Sequence, residues 1–347
     1  MAARRPTLVV TMGDPAGIGP EIVARAATHP AARRAARLVI AGDPEVMERA
    51  VSRLRSRVRI RPVDPRTHDL REDAPGLPLL STSEEGWRAV EPGIPTARSG
   101  MMAARAIETA AALALEGRVD GIVTAPISKT ALQAAGYPYP GHTEFLGALA
   151  RAPETRMLFV GRSFRILLAT VHLALRRVPD ALTVDGLVRT MEIAAAALRN
   201  FRWGAKRAVC VLGLNPHAGE NGLFGDEERL VIAPAIERAR AKGIRAEGPY
   251  PADTFFAQHE GRGDLGAVIA MYHDQGLIPA KSGGIGGAAN VTLGLPFVRS
   301  SVDHGTAFDR AWKGGARAPD SAGLETAIRV GADLALRGKR PLEWTWP

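Results

Sequence analysis

Short runs of β-branched and other apolar residues alternate along this chain with longer segments rich in alanine and leucine. Short apolar runs are typical of buried strands, and the longer segments repeat their apolar residues at helical spacing. Strands that alternate with helices build α/β layers around a mostly parallel sheet. The pattern therefore predicts an α/β fold.

The same periodicity sets the boundaries of the individual elements. The predicted strands are Thr7–Thr11, Arg37–Ala41, Val58–Ile60, Gly121–Thr124, Met157–Val160, Ile166–Val171, Ala208–Leu214, Ala267–Met271 and Asn290–Leu293. The predicted helices are Pro20–Thr28, Pro44–Arg55, Arg98–Glu116, Ser128–Ala135, Thr143–Arg151, Val184–Asn200, Asp226–Lys242 and Ser321–Arg337. Ser128 and Thr143 stand where a helix N-cap is favoured. The stretch from Pro62 to Pro95 is rich in proline, glycine and charge, and is predicted to form surface connections.

The size of the chain allows a large core. Of its 347 residues, 46% are hydrophobic and 23% charged, which suits one large or two medium domains. The first residues lead within a few positions into the apolar run Leu8–Val10, so we expect no signal peptide. No stretch approaches the roughly 18 uninterrupted apolar residues of a membrane span. We therefore expect a cytoplasmic protein that does not bind a membrane.

Charge and cysteine content argue against two further classes of function. The net charge is +9, but only six of the 45 basic residues are lysines, and the arginines are scattered among alanines. Nucleic-acid binding favours a clustered basic face with interleaved aromatic residues, and aromatic residues make up only 5% here. We expect no nucleic-acid partner. Cys210 is the single cysteine, and its apolar surroundings predict a buried, unreactive thiol rather than a nucleophile.

Three of the eight histidines directly follow apolar, strand-like runs. They are His172 after Leu167–Val171, His217 after Val209–Pro216 and His273 after Val268–Tyr272. An α/β sheet binds its ligands in the loops at the carboxyl ends of its strands, and neutral imidazole is a common ligand of divalent metals. A single histidine at a strand end is more often a hydrogen-bonded structural residue. Three in equivalent positions favour a shared metal ion.

Several loops have the composition of binding sites. The segments Leu214–Glu220 and Met271–Gly276 are rich in glycine, proline and small polar residues, which favours site loops over plain tight turns. The loop Gly13–Glu21 leads into a helix whose first amides could hold an anion, but it lacks the third glycine of a Rossmann fingerprint. Gly283–Gly287 is too generic to indicate a nucleotide site. Both the phosphate-binding and the purely structural interpretations of Gly13–Glu21 remain open.

A further anion contact is predicted at the entry of a helix. His142 and Thr143 combine an imidazole, a hydroxyl and free helix amides, which together suit a phosphate group. The alternative is that Thr143 is simply an N-cap. Lys129 and Lys281 stand out because lysine is rare, and each is either an anion or proton-transfer group or a solvated surface residue.

Taken together, eight ordered motifs resemble the 4-hydroxythreonine-4-phosphate dehydrogenase family of vitamin B6 biosynthesis. They are GDPAGIGPE, TAPISKTAL, YPGHTEF, TVHLAL, LNPHAGENGLFGDEE, PADTFF, AMYHDQGL and NVTLGLPFVRSSVDHGTAFD, and they span about residues 7 to 335. The resemblance implies two α/β/α domains around a cleft, similar to isocitrate and isopropylmalate dehydrogenases and without a Rossmann module. The domain on the cofactor side is expected over 1–138 and 280–347. The domain with the metal and the dimer interface is expected over 139–279.

The resemblance also implies roles for individual residues. It implies one divalent metal per active site (Zn, Mg, Mn or Co) on His172, His217 and His273, in a homodimer with the active site at its interface and His273 supplied by the partner. It implies substrate contacts from His142, Thr143, Lys281, Asn290 and Arg299. It implies contacts of NAD or NADP with His304, Gly305 and Thr306. Lys281, Asp253 and Asp274 are the candidates for the catalytic base.

The implied reaction is the oxidation of the secondary alcohol of 4-phosphohydroxy-L-threonine, followed by decarboxylation to 3-amino-2-oxopropyl phosphate. Where the family commonly has IAGKG, this chain has Arg310-Ala-Trp-Lys-Gly314, which resembles a sister branch acting on 4-phospho-D-threonate or 4-phospho-D-erythronate to give dihydroxyacetone phosphate. Gly283–Ala289 also lacks the aromatic and basic residues often found there in the family. Two rival classes are a metal-dependent phosphatase or lyase without nicotinamide, and a non-catalytic module that binds a phosphorylated metabolite.

Overall fold

The structure is a computed structural model that describes residues 5–54, 57–73, 75–282, 287–315, 318–336 and 347. Its strands are β1 (Thr7–Thr11), β2 (Arg37–Gly42), β3 (Ile60–Pro62), β4 (Leu77–Ser81), β5 (Gly121–Thr124), β6 (Arg156–Val160), β7 (Arg165–Leu168), β8 (Ala208–Leu212), β9 (Ala246–Tyr250), β10 (Leu265–Ala270), β11 (Ala289–Leu293) and β12 (Val298–Ser301). Most of the glycine-rich segment Gly283–Gly287, together with the predicted helix ends at Arg55 and Arg337, lies outside the described residues.

The helices lie between these strands, as the alternating pattern predicts. They are α1 (Gly19–Thr28), α2 (Pro30–Ala35), α3 (Pro44–Ser52), α4 (Ala97–Leu115), α5 (Lys129–Ala134), α6 (His142–Leu149), α7 (Val178–Ala181), α8 (Val184–Asn200), α9 (Ala233–Ala241), α10 (Ala252–His259), α11 (His273–Lys281) and α12 (Ala322–Leu336). Ser128 caps α5, since its hydroxyl accepts a hydrogen bond from the Ala131 amide at 3.2 Å. Among the described residues, no helix combines the length and the apolar character that a membrane crossing requires.

The chain divides into two compact units. The first comprises the described residues of 1–155 and 289–336, and the second those of 156–288. The structure thus places 139–155 with the first unit and the described residues of 280–288 with the second, whereas the domain bounds expected from the family resemblance assigned them the other way. For 139–155, the reason is that Phe145 and Leu146 of α6 are buried in the apolar core of the first unit.

The first unit is built on strands in the order β3-β4-β2-β1-β5-β12-β11. The neighbouring strands are parallel except for β11 and β12, which pair antiparallel. Alternate residues of β1 enter two different apolar cores, because Leu8 and Val10 face one layer of helices and Val9 faces the other. The strand order, together with this antiparallel pair, differs from that of a Rossmann sheet, so the predicted non-Rossmann α/β class is confirmed.

The second unit has strands in the order β6-β7-β10-β8-β9, and all pairs except β6 with β7 are parallel. Helix α8 contacts β8 and β10, and Phe255 of α10 and Leu277 of α11 belong to a core shared with strands β7, β8 and β10. Parallel neighbours bring their carboxyl ends to one edge of a sheet. The ends of β7, β10 and β8 are therefore adjacent.

The prediction that Pro62–Pro95 forms only surface connections is wrong. Strand β4 lies inside this stretch and pairs with both β2 and β3, and Leu77, Leu79 and Leu80 are buried. Pro78 concealed the strand, because proline cannot donate to a β-ladder and is normally confined to sheet edges. Here β4 is the second strand from the edge. The burial of its apolar side chains compensates for the hydrogen bond that Pro78 cannot donate.

Candidate active site

A buried arginine lies on one of the strands of the first unit. Arg299 on β12 is 3% exposed. Its Nη1 donates to the Thr292 hydroxyl at 2.9 Å and its Nη2 to the Thr124 hydroxyl at 2.7 Å. These threonines stand on the two strands that flank β12, so the sheet itself fixes the guanidinium.

The charge of Arg299 is not paired within the described part of the chain. None of the described carboxylates forms an ion pair with it, and its Nε is buried without a hydrogen-bond partner among the described residues. Burial lowers the pKa of Arg299 to about 10, and the charge of Glu144 on α6 opposes this shift. A buried charge that lacks a partner destabilises a fold unless an anion binds to it. The arrangement therefore favours an anionic ligand.

Two further polar groups meet this arginine. His142 is the first residue of α6, and its Nε2 is buried without a hydrogen-bond partner among the described residues, although other parts of the residue are accessible. Burial, and then the charge of Arg299, holds the pKa of His142 well below its usual value. The Oδ1 of Asn290 on β11 is likewise buried and unsatisfied. Because Asn290 pairs with Ser301, two residues from Arg299, both side chains lie on the same face of the sheet.

The alternative interpretation of Thr143 as a plain N-cap is wrong. Helix α6 begins at His142, and its N-cap residue is Gly141, which supplies no side-chain cap. Thr143 is thus the second helical residue, in the first turn where helix amides lack internal partners. The first unit therefore combines one cation, a neutral imidazole, an amide and a helix N-terminus, a set of groups that suits a phosphate or carboxylate.

The three histidines predicted as metal ligands lie in the second unit. His172 follows β7, His273 follows β10 and His217 follows β8, which are three adjacent parallel strands. The ring centroids of His172 and His273 are 5.9 Å apart. Met271–Gly276 was predicted as a loop, and this is wrong from His273 onward, because α11 begins there.

His217 stands apart from that pair. In the described part of the chain, no three His, Cys, Asp or Glu side chains are grouped closely enough to hold a metal ion. His217 begins a run of six residues, ending at Gly222, whose φ values are all positive, between 41° and 97°. Its ring lies 6.1 Å from that of Phe224, and its loop borders an open depression on the surface.

The donor set of His172, His217 and His273 fits a divalent metal by residue type, because imidazole is a common ligand of such ions. The three rings of one described chain are not grouped around a single point. The Nδ1 of His273 lies 2.7 Å from the Asp274 carboxylate, which only accepts, so Nδ1 carries the proton and Nε2 is left as the nitrogen able to bind a metal. A carboxylate behind a ligating histidine is a common feature of metal sites.

The candidates for the catalytic base are all in the second unit. Lys281 is the last residue of α11 and is half-buried, Asp253 is exposed in the first turn of α10, and Asp274 follows His273. The structure places Asp274 beside a predicted metal ligand. The role of the base stays a prediction for all three.

The predicted cofactor segment lies against the Gly13–Glu21 loop of the first unit. The Thr306 carbonyl accepts a hydrogen bond from the Ile18 amide at 3.0 Å. A Cβ added at Gly17 would lie 2.9 Å from the same carbonyl oxygen, so only glycine allows this approach. His304 and Gly305 precede this contact, and the His304 Nδ1 lies 3.1 Å from the Gly305 carbonyl.

Sequence reasoning missed Asp14, which lies in this loop. Asp14 is fully buried, its Oδ1 accepts from the Ala16 amide at 2.9 Å, and its Oδ2 lacks a partner among the described residues. Burial raises the pKa of Asp14 to about 6. The sequence signal was only a Gly-Asp-Pro turn, and such turns are common on protein surfaces.

Comparison with known proteins gives consistent matches over almost the whole chain. The family described as "Pyridoxal phosphate biosynthetic protein PdxA" matches residues 34–330. A 4-hydroxythreonine-4-phosphate dehydrogenase from Geobacter metallireducens is 44% identical over 337 residues, covering 96% of this chain and 97% of the relative. A D-threonate 4-phosphate dehydrogenase from Pectobacterium atrosepticum is 41% identical, covering 94% of this chain and 99% of the relative. The crystal structure of a 4-hydroxythreonine-4-phosphate dehydrogenase from Klebsiella pneumoniae superimposes with a TM-score of 0.86 at 39% identity, covering 96% and 99% of the two chains.

Proposed function

The chain belongs to the PdxA family of pyridoxal phosphate biosynthetic proteins, and on this basis we propose that it is a metal-dependent NAD(P) dehydrogenase of a small phosphorylated hydroxy acid. The first candidate substrate is 4-phosphohydroxy-L-threonine. The observation that carries the proposal is the buried Arg299, which forms an ion pair with none of the described carboxylates, together with the unsatisfied Nε2 of His142 and Oδ1 of Asn290 in the same unit. The anionic group of a substrate would accept hydrogen bonds from Arg299 and from an N–H at His142 Nε2, and a hydroxyl or amino group of the same substrate would donate to Asn290 Oδ1.

The proposed reaction converts the secondary alcohol to a ketone. Bound NAD or NADP would supply the hydride acceptor for this oxidation, and Lys281, Asp253 and Asp274 are the candidates for the base that would take the hydroxyl proton. The resulting β-keto acid loses CO₂ and gives 3-amino-2-oxopropyl phosphate. A divalent metal (Zn, Mg, Mn or Co), held by His172, His217 and His273, would supply Lewis acidity at the substrate hydroxyl.

The chain's own residues would bind and orient the reactants. Arg299, His142, Thr143 and Asn290 would hold the phosphate and carboxylate of the substrate, and Lys281 would add a further cation. Because the pKa of His142 is low, its ring would contact the anion as a neutral hydrogen-bonding group. His304, Gly305 and Thr306 would contact NAD or NADP beside the Gly13–Glu21 loop. A nicotinamide-dependent reaction of this kind is expected in the cytoplasm.

A second copy of this chain is the proposed partner. Of nine exposed large hydrophobic residues among those described, six lie in the second unit: Leu173, Leu175, Leu223, Phe224, Leu230 and Ile278. Leu173 follows His172 directly, and Phe224 contacts His217. Apolar side chains around predicted metal ligands favour an interface, so we propose a homodimer in which His273 completes the partner's metal site.

The second candidate substrate is 4-phospho-D-threonate or 4-phospho-D-erythronate, with dihydroxyacetone phosphate as product. The observation that favours it is Trp312, which stands in the segment that departs from the family pattern. Its backbone amide donates to Glu21 at 2.7 Å and its indole N–H donates to the Pro15 carbonyl at 2.9 Å. Trp312 is therefore built into the Gly13–Glu21 loop rather than exposed as a variable surface residue.

The test is a side-by-side assay of the three phosphorylated acids with Co²⁺ and with NAD or NADP. We expect nicotinamide reduction with one or more of them, abolished by a metal chelator and restored by added metal. Release of inorganic phosphate without nicotinamide reduction would instead support the rival phosphatase reaction. Absence of both signals would support a non-catalytic binding module.

A further inference from the structure

The loops that carry the three histidines are tied to one another by hydrogen bonds within one chain. Thr170, two residues before His172, donates both its backbone amide and its hydroxyl to the Met271 carbonyl, the hydroxyl at 2.7 Å. Met271 lies two residues before His273. The end of β7 is thereby joined to the end of β10.

A second tie joins the end of β10 to the end of β8. The side-chain carbonyl of Gln275 accepts from the Met271 amide at 2.7 Å, and its Nε2 donates to the Gly213 carbonyl at 2.7 Å. Gly213 opens the loop that carries His217. Gln275 is thus the side chain that spans the His273 and His217 loops.

The His217 loop needs support, because its backbone is strained. His217, Ala218, Glu220 and Asn221 are non-glycine residues with positive φ, a conformation that L-residues rarely adopt in succession. Such strain persists only where the surrounding structure determines it.

That support comes from a buried carboxylate. Glu228 is 6% exposed, and it accepts hydrogen bonds from the Leu214 amide at 2.6 Å, the Asn215 amide at 2.8 Å and the Asn215 Nδ2 at 2.9 Å. A Cβ added at Gly219 would lie 2.6 Å from its Oε2, so the carboxylate packs directly against the left-handed run. Glu228 also begins a π-helical turn, Glu228–Ile232, a feature that is frequent at functional sites.

We propose that Gln275 and Glu228 are positioning residues that fix the three histidine loops for metal binding. Neither side chain is among the predicted metal ligands. Glu228 holds the left-handed run that presents His217 to this chain's own site, and Gln275 joins that run to the loop that presents His273 to the partner's site. This inference rests on the metal site proposed above.

The test measures Co²⁺ binding to the full-length protein by titration calorimetry and visible absorption spectroscopy. Gln275→Met removes both amide contacts at similar volume, and Glu228→Gln replaces an acceptor by a donor. The matched controls are Gln258→Met and Glu237→Gln, whose side chains are exposed in the same unit. We expect Kd for Co²⁺ to rise about 10- to 100-fold in the two test variants, with an altered Co²⁺ spectrum, and to be unchanged in the controls.

The thermal midpoint of each metal-free variant shows whether the variant is folded, so that a loss of fold can be distinguished from a loss of metal affinity. Loss of affinity in a variant that stays folded at the assay temperature supports the positioning role, and unchanged Kd and spectrum overturn it. If Glu228→Gln does not fold, Gln275→Met decides the question. If the wild-type protein binds no Co²⁺, or if His217→Ala binds it as well as wild type, the metal site itself is wrong.

Discussion

The two units hold their candidate chemical groups in different ways. In the first unit, Arg299 and Asn290 stand on strands and are 3% and 8% exposed, so the sheet fixes them. In the second unit, His172 and His217 stand on loops beyond the strand ends, and the side chain of His273 is 40% exposed. The proposed anion pocket would be organised by its strands before the ligand arrives, whereas the proposed metal site on loops would depend on hydrogen bonds between the loops and on a second subunit.

The largest expected effect comes from Arg299→Met. We expect kcat/KM for the phosphorylated substrate to fall at least about a hundredfold, because a buried anion contact is lost. The thermal midpoint of the free protein should rise, because a buried charge without a counter-ion is removed. The control is Arg329→Met, which alters an exposed arginine of α12 in the same unit. A variant with full activity would show that the pocket does not bind substrate.

A smaller effect is expected from Asp274→Asn in the second unit. The variant loses the carboxylate behind His273, and metal affinity should weaken about tenfold. Binding of inorganic phosphate to the first unit should be unchanged, just as Arg299→Met should leave Co²⁺ affinity unchanged. Calorimetric titration of Co²⁺ and of inorganic phosphate into Asp274→Asn and Arg299→Met measures whether the two binding sites are independent. If each variant weakened both ligands equally, the two regions would not be independent.

The Asp14→Asn variant tests whether Asp14 is buried in the first unit, through the pH dependence of the free energy of unfolding. The folded-state pKa of Asp14 is raised from 3.8 to about 6, so between these values the folded protein keeps a proton that the unfolded chain has released. The contribution of this group to the free energy of unfolding therefore falls as pH rises through that window, by up to about 3 kcal/mol at pH 7. The variant should lose this decline in denaturant unfolding measured from pH 4 to pH 7. Asp69→Asn, at an exposed site, is the control, and an unaltered pH profile in Asp14→Asn would contradict the assignment.

The smallest effect concerns Cys210 on β8, beneath the His217 loop. Burial raises the pKa of its thiol to about 12. A thiol reagent at pH 8 should therefore modify the unfolded chain but not the native protein. Labelling of Cys210 therefore reports whether strand β8 of the second unit becomes exposed to solvent in the native protein. Rapid labelling of the native protein would show that this strand becomes exposed as readily as a surface loop.

The sequence predicted the parts of this molecule that depend on local pattern. The α/β class, the bounds of β1, β5 and α8, membership of the PdxA family and the oxidoreductase class are confirmed. Strands whose residues are polar or interrupted were missed, as with β12, where Arg299 breaks the apolar run, and β4, where Pro78 does so. Apolar periodicity does not reveal a strand whose own residues are polar or interrupted and which depends on the neighbouring strands for its stability.

The candidate site was predicted only in outline. The three histidines were recognised because each follows an apolar run, a local signal. The unsatisfied charge of Arg299, the burial of Asp14 and the ties through Gln275 and Glu228 depend on contacts between distant segments. No local pattern contains those contacts. The metal ligands, the substrate contacts and the base stay predictions.

The most direct test of the account is anomalous diffraction at the cobalt edge from crystals of the Co²⁺-loaded protein. The account predicts one strong peak per active site, within about 2.1 Å of an imidazole nitrogen from each of His172, His217 and His273, with the His273 ring supplied by the partner. A peak away from these rings, or histidines directed into separate pockets, would contradict it.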